Sequence, residues 1–214
     1  LRGAAHWWLN NGATGVYFYN FYTMSPQWHH RTYQELTNKN HLVKSDKKYV
    51  LGKSSQPGAD STIGWAFYHA SPKTQLPMNV SQETADLMIE IADDLDDSDV
   101  KDKVDSAALA IWFENLETDI QIMLHVNGQS IGEMVYKNSQ DGWGNIRIEG
   151  LFWVKYPASL NTDIQSGHLF VFDDIKDFLL NGANRISLTI NKVDGHPSMT
   201  AIVGVELKIL YNKK

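Results

Sequence analysis

A mainly β fold, a jelly-roll-like β-sandwich over residues 61–214, is what this sequence predicts, and three observations predict it. First, short segments alternate apolar and polar side chains with a period near two, as in Ala107 to Phe113, Ile120 to Val126 and Ile202 to Leu210. Second, turn residues recur between these segments, and Asn127-Gly128 is a strong tight-turn signal. Third, the chain carries seven Trp, nine Tyr and eight Phe, a load that suits a β-rich core as well as sugar-stacking surfaces. Many short strands joined by turns argue for a sandwich or barrel.

The elements follow in order. Residues 1–11 are helix formers closed by Asn10, Asn11 and Gly12. Residues 15–20 (GVYFYN) form a short apolar run that reads as a buried strand. A loop over 23–28 precedes a helix over 29–38, and residues 39–52 are polar and irregular up to KKYVLG. This first α/β segment, 1–52, is too small to bury a core alone. Residues 53–60 (KSSQPGAD) read as a linker. Strands are then expected near 62–69, 75–80, 86–92, 106–114, 118–127, 130–137, 144–149, 151–156, 168–173, 184–191 and 200–211, with Glu206 and Lys208 facing out. One helix is expected over Asp174 to Leu180, closed by Asn181-Gly182.

Composition narrows the function. At net charge −6 the chain lacks the basic stripe of a nucleic-acid binder. No apolar run reaches the length of a membrane span. With no Cys, disulfides and thiolate metal sites are excluded. His29 and His30 are adjacent, so on a helix they point about 100° apart and cannot easily share an ion. No nucleophile elbow and no phosphate loop is present. The acidic stretch 93–102 holds six Asp in ten residues and reads as a solvated loop; its alternative is calcium, with Asp93, Asp94, Asp96 and Asp97 as ligands.

Ala5, Trp8, Gly12 and Ala13 follow the helix form A-x-x-W-x-x-G-A with one residue more between Trp8 and Gly12, and Gly15, Tyr17, Tyr19 and Asn20 follow the strand form G-x-Y-x-F-N with Tyr19 where Phe is usual. Through these, residues 1–51 resemble the end of a glycoside-hydrolase-like (β/α)-barrel, where such a helix precedes the last strand. Such proteins often carry a C-terminal β-sandwich, and AALAIWFENLETDIQIMLHVNGQSI, FLLNGANRISLTI and MTAIVGVELKILY resemble its phrases.

The resemblance implies a division into a terminal βα unit (1–52), a linker (53–60) and a sandwich accessory domain (61–214). It also implies that the chain, which opens on LRGAAHWWL, is a piece of a longer protein whose remaining barrel lies on the same or a second chain. Barrel glycosidases work with paired carboxylates at strand ends. This strand end offers Asn20, Phe21 and Tyr22, so no catalytic residue is assigned, and Glu35 on the following helix reads as surface. Trp7 and Trp8 read as packing residues.

The expected role is bracing the barrel, binding a polysaccharide, or both, in an extracellular or envelope setting. Asn20 and Tyr22 at the barrel rim, and Asp141 with Trp143 in the turn NSQDGWGN, are the candidate sugar contacts, because a Trp beside polar groups can stack on a pyranose face. The rival expectation is a non-enzymatic adhesion or assembly module using edge strands.

Overall fold

The computed structural model describes residues 2–16, 26–52, 75–76, 78–80, 84–114, 120–137, 168–192 and 200–212. Within these, the chain is mainly β, with two antiparallel sheets face to face. Helix α1 spans Arg2–Asn10, α2 Pro26–Leu36, and α3 Lys39–Leu42. The strands are β1 Lys47–Gly52, β2 Met78–Asn79, β3 Thr84–Ile91, β4 Val104–Glu114, β5 Ile120–Val126, β6 Gln129–Glu133, β7 Val135–Lys137, β8 His168–Phe172, β9 Gly182–Lys192 and β10 Ala201–Tyr211. A short helix α4, Ser98–Lys101, lies between β3 and β4. One sheet runs β1-β10-β4-β8-β7, with β2 also on β10, and the other runs β3-β9-β5-β6.

Pattern and burial agree along most strands. In β3 burial alternates residue by residue, with Ala85, Leu87, Ile89 and Ile91 inward. Val205, Leu207 and Ile209 of β10, Leu109, Ile111 and Phe113 of β4, and Ile186, Leu188 and Ile190 of β9 complete the core between the sheets. Phe113 and Phe170 meet edge to face inside it, with ring centroids 5.6 Å apart.

Asn127 and Gly128 both adopt positive φ, 51° and 82°, as a two-residue turn between β5 and β6 requires. The Asn127 side chain also donates to the Phe178 carbonyl and to Asn184 Oδ1, and accepts from the Arg185 amide. That ties the hairpin tip to the start of β9. After β6 the chain changes sheets at the buried Met134, whose amide donates to the Ile122 carbonyl, and β7 continues in the other layer on β8.

Three features differ from expectation. The segment KKYVLG is a full strand, β1, paired antiparallel with β10 from Lys47↔Ile209 to Gly52↔Gly204. Residues 47–52, grouped by sequence with the N-terminal unit, are therefore part of the sandwich sheet. The division expected at 53–60 falls outside the described residues. Second, the sheet containing β4 is buried on both faces there, because Ala110, Trp112, Leu169 and Val171 form an apolar cluster on its outer side. Glu206 points outward as expected but is only 5% exposed. Third, the helix expected over 174–180 is one 3-10 turn, Lys176–Phe178. Asp174 accepts from the Lys176 and Ala107 amides there, tying the turn to β4.

The strands expected near 62–69, 144–149 and 151–156, and the barrel strand over 15–20 beyond Val16, lie outside the described residues. Helix α1 lies directly on β1. A Cβ on Gly3 would sit 2.3 Å from the Lys48 carbonyl oxygen, so only glycine allows this approach.

Candidate functional site

The side chains with the most chemistry gather where the helices meet one end of the sandwich. Lys47 opens β1, Tyr211 closes β10, and Asp93 follows the end of β3. Each continues the inward face of its strand, so three strand ends aim polar groups at one buried point. The Lys47 ammonium lies 2.8 Å from Asp93 Oδ1, and both side chains are fully buried. Its other donors go to the carbonyls of Leu42, at the end of α3, and Ser45, the latter at 3.0 Å. Tyr49 donates to Asp93 Oδ2 at 2.6 Å and Tyr211 to Oδ1 at 2.5 Å. The Tyr49 oxygen in turn accepts from the Ala92 amide. Lys47 also sits 4.5 Å from the centre of the Tyr211 ring.

The three ammonium donors each have an acceptor, and both carboxylate oxygens are used. This is how a buried ion pair avoids the penalty of unpaired charge. Burial pulls the Lys47 pKa below its ordinary value, against the opposing pull of Asp93. Burial, with the adjacent Asp93 charge, pushes both tyrosine hydroxyls well above theirs. His6, on the buried side of α1, is held near pKa 4, first by desolvation and then by the Lys47 charge. Its Nδ1 has no hydrogen-bond partner among the described residues.

This arrangement revises the reading of the acidic stretch. Asp93 is not a solvated residue, and its oxygens are taken by Lys47 and the two tyrosines. Asp97 caps α4 by accepting from the Asp99 amide. Asp94 and Asp96 are exposed. Among the described residues no group of three or more His, Asp or Glu is placed to hold a metal ion. The other candidates, Asn20, Tyr22, Asp141 and Trp143, lie outside the described residues.

Beside the buried pair lies an open cleft of about 660 Å³ between α2 and the outer face of β1 and β10. Arg2, Arg31, Lys48 and Lys208 line it, together with Glu35 and Asp46. Glu35 is not a free surface residue as expected: Arg2 bonds its Oε2 at 2.8 Å and Arg31 its Oε1 at 2.8 Å. The two guanidiniums hold its carboxyl below the usual range despite partial burial. Trp8 also departs from expectation. It is 57% exposed, edge-on to Trp7, because α1 turns Gly3, Ala5 and His6 to the protein.

No described helix is long and apolar enough to cross a membrane. No protein-family model and no curated protein matches the sequence. Among solved structures the chain is similar to the dimeric latent PorU of Porphyromonas gingivalis, at 8% identity and a TM-score of 0.37. That match takes in 79% of this chain but only 13% of PorU.

Proposed function

We propose that the chain is the C-terminal region of a glycoside-hydrolase-like protein, in which a jelly-roll sandwich braces the end of a (β/α)-barrel and does not catalyse by itself. One observation carries the bracing role: the buried Lys47–Asp93 pair joins the helical segment to both sheets. Lys47 takes the carbonyls of the α3 end, Asp93 follows a strand of one sheet, and Tyr211 ends a strand of the other. The contact of α1 with β1 at Gly3, and the bond from Asn10 to the Ala92 carbonyl, add to it.

The strand order supports the jelly-roll reading. Leave out the short β2 and β7 and count the other eight strands in chain order. The first pairs with the eighth, the second with the seventh, the third with the sixth and the fourth with the fifth. A long hairpin wrapped into two layers gives this pairing.

A brace must not come loose on its own. Amides of α1 are therefore expected to exchange with solvent deuterium only through openings as costly as those of β10, within about 1 kcal/mol. Exchange from α1 by a cheap local opening, with β10 still protected, would refute bracing.

The same reading gives the protein a polysaccharide partner in an extracellular or envelope setting. The sequence feature that supports it is the turn with Asp141 and Trp143. Trp143→Ala is expected to weaken retardation in polysaccharide-containing gels about tenfold. Equal retardation of variant and parent would remove the stacking contact. If no polysaccharide retards the parent, the assembly-module alternative becomes the better reading.

A further inference from the structure

We infer that Lys47 and Asp93 condense into an amide after folding, so that the chain forms its own cross-link between the two sheets at the helix–sheet junction. The inference goes beyond the bracing role, since it makes one contact of the brace covalent, and it needs no carbohydrate partner.

Geometry supplies the first requirement. Lys47 Nζ lies 2.8 Å from Asp93 Oδ1, an oxygen bonded to the carbon that the amine attacks, and both side chains are fully buried. Lys47 opens β1 of one sheet, and Asp93 follows β3 of the other. Hydrogen bonds to the Leu42 and Ser45 carbonyls hold the ammonium where it is. A pair fixed in this way has already given up the freedom that slows a bimolecular condensation. In well-oriented cases that is worth an effective concentration of about 10⁵ M or more.

The reaction balances inside the pair. The ammonium nitrogen loses two protons and forms a bond to Asp93 Cγ. One carboxylate oxygen breaks from Cγ, takes both protons and leaves as water. A cation and an anion thus become a neutral amide and one water, with no oxidant, cofactor or further reactant. In water the separate ions are favoured, because both are well solvated. Here they have lost that solvation, and the amide leaves no charge to bury.

The neighbours supply the proton steps. Tyr49 donates to Oδ2 at 2.6 Å and Tyr211 to Oδ1 at 2.5 Å. One hydroxyl steadies the oxygen that gathers charge in the tetrahedral intermediate, and the other passes a proton to the oxygen that departs. Burial lowers the Lys47 pKa, which favours the uncharged amine that attacks. His6 is the base. It is 1% exposed, its Nδ1 has no partner among the described residues, and Lys47 and Asp93 are the first two charges that act on it. Passing a proton from an ammonium to an imidazole of pKa about 4 is uphill. The bond therefore forms slowly, and the freshly folded chain holds the ion pair.

The test is intact mass and tryptic peptide mapping of the whole chain, held folded at neutral pH and sampled over days. A species one water lighter is expected to accumulate, and its digest to contain a branched peptide that joins Lys47 to Asp93. Lys47→Met should keep its full mass throughout, and His6→Leu should form the lighter species about a hundredfold more slowly. The branched peptide of the parent decides the matter even if Lys47→Met folds poorly. Full mass with no branched peptide would overturn the cross-link. So would a loss of water that persists in Lys47→Met, since ring closure at an Asp elsewhere gives the same mass. Equal rates in His6→Leu and the parent would remove His6 as the base. Failure of the cross-link leaves the non-covalent brace standing or falling by its exchange test.

Discussion

Asp93→Asn is expected to cost about 3–5 kcal/mol of folding stability, read as a lower urea midpoint at unchanged slope. The substitution keeps the shape of the side chain and removes its charge. Lys47 then keeps the carbonyls of Leu42 and Ser45 but has no counter-ion in a fully buried place. The new amide also turns a donor toward groups that already donate, since Tyr49, Tyr211 and Lys47 all give hydrogens to Asp93.

The pH dependence should change with it. Burial already lowers the Lys47 pKa, and Asp93 is the main opposing influence. Without Asp93 the folded value falls further below the unfolded one. Between those values the unfolded chain binds more protons, so as pH rises toward the ordinary lysine range the stability of the variant should rise more steeply than the parent's. Above about pH 10 the tyrosines act the other way in the parent. Their folded pKa values are raised, the unfolded chain ionises first, and stability falls.

A double variant separates a clamp from mere packing. Lys47→Met with Asp93→Asn removes the stranded charge and should recover more than half of the loss. A single variant costing under about 1 kcal/mol, or a double variant as weak as the two singles summed, would rule out the clamp.

The fold was more legible in the sequence than the site, and for a physical reason. Strands such as β3 and β9 declare themselves through local alternation, and Asn127-Gly128 through the backbone freedom of two residues. The polar cluster depends on partners far apart in the chain. Lys47 and Asp93 are 46 residues apart (93 − 47), and Tyr211 lies a further 118 beyond Asp93.

Locally each looks ordinary: Lys47 begins KKYVLG like a surface residue, and Asp93 hides among five other Asp. A signal was nonetheless present in the register. Counting by twos from Ala85 through Ile91 puts Asp93 on the buried face, and counting from Val205 through Ile209 does the same for Tyr211. Period two carried past the end of an apolar run was the clue, and the density of Asp masked it. The cleft left no comparable trace, because Arg2, Arg31, Lys48 and Lys208 come from four elements with nothing in common but the tertiary fold.

The second large effect concerns acid. His6 is 1% exposed, its Nδ1 lacks a partner among the described residues, and its pKa is lowered from 6.5 to about 4. Protonating it would place a second cation near Lys47, only partly offset by Asp93. The folded value lies below the unfolded one, so the unfolded chain binds more protons between them. Stability is therefore full above pH 6.5, falls as the solution is acidified, and has lost about 3 kcal/mol from this residue by pH 4.

About 2 kcal/mol of that loss falls between pH 7 and pH 5. This separates it from the carboxylates. Glu35, Asp86 and Asp177 have folded pKa values below their ordinary ones, so their contributions are lost only as pH falls through about 4 and lower. His6→Leu removes the titrating ring and its unpaired nitrogen together. Its urea midpoints at pH 7, 6 and 5 should lie nearly level where the parent's fall. Parallel slopes in the two proteins would mean that His6 takes up its proton inside the folded protein at little cost. The helix–sheet junction would then have to be wetter than its burial implies.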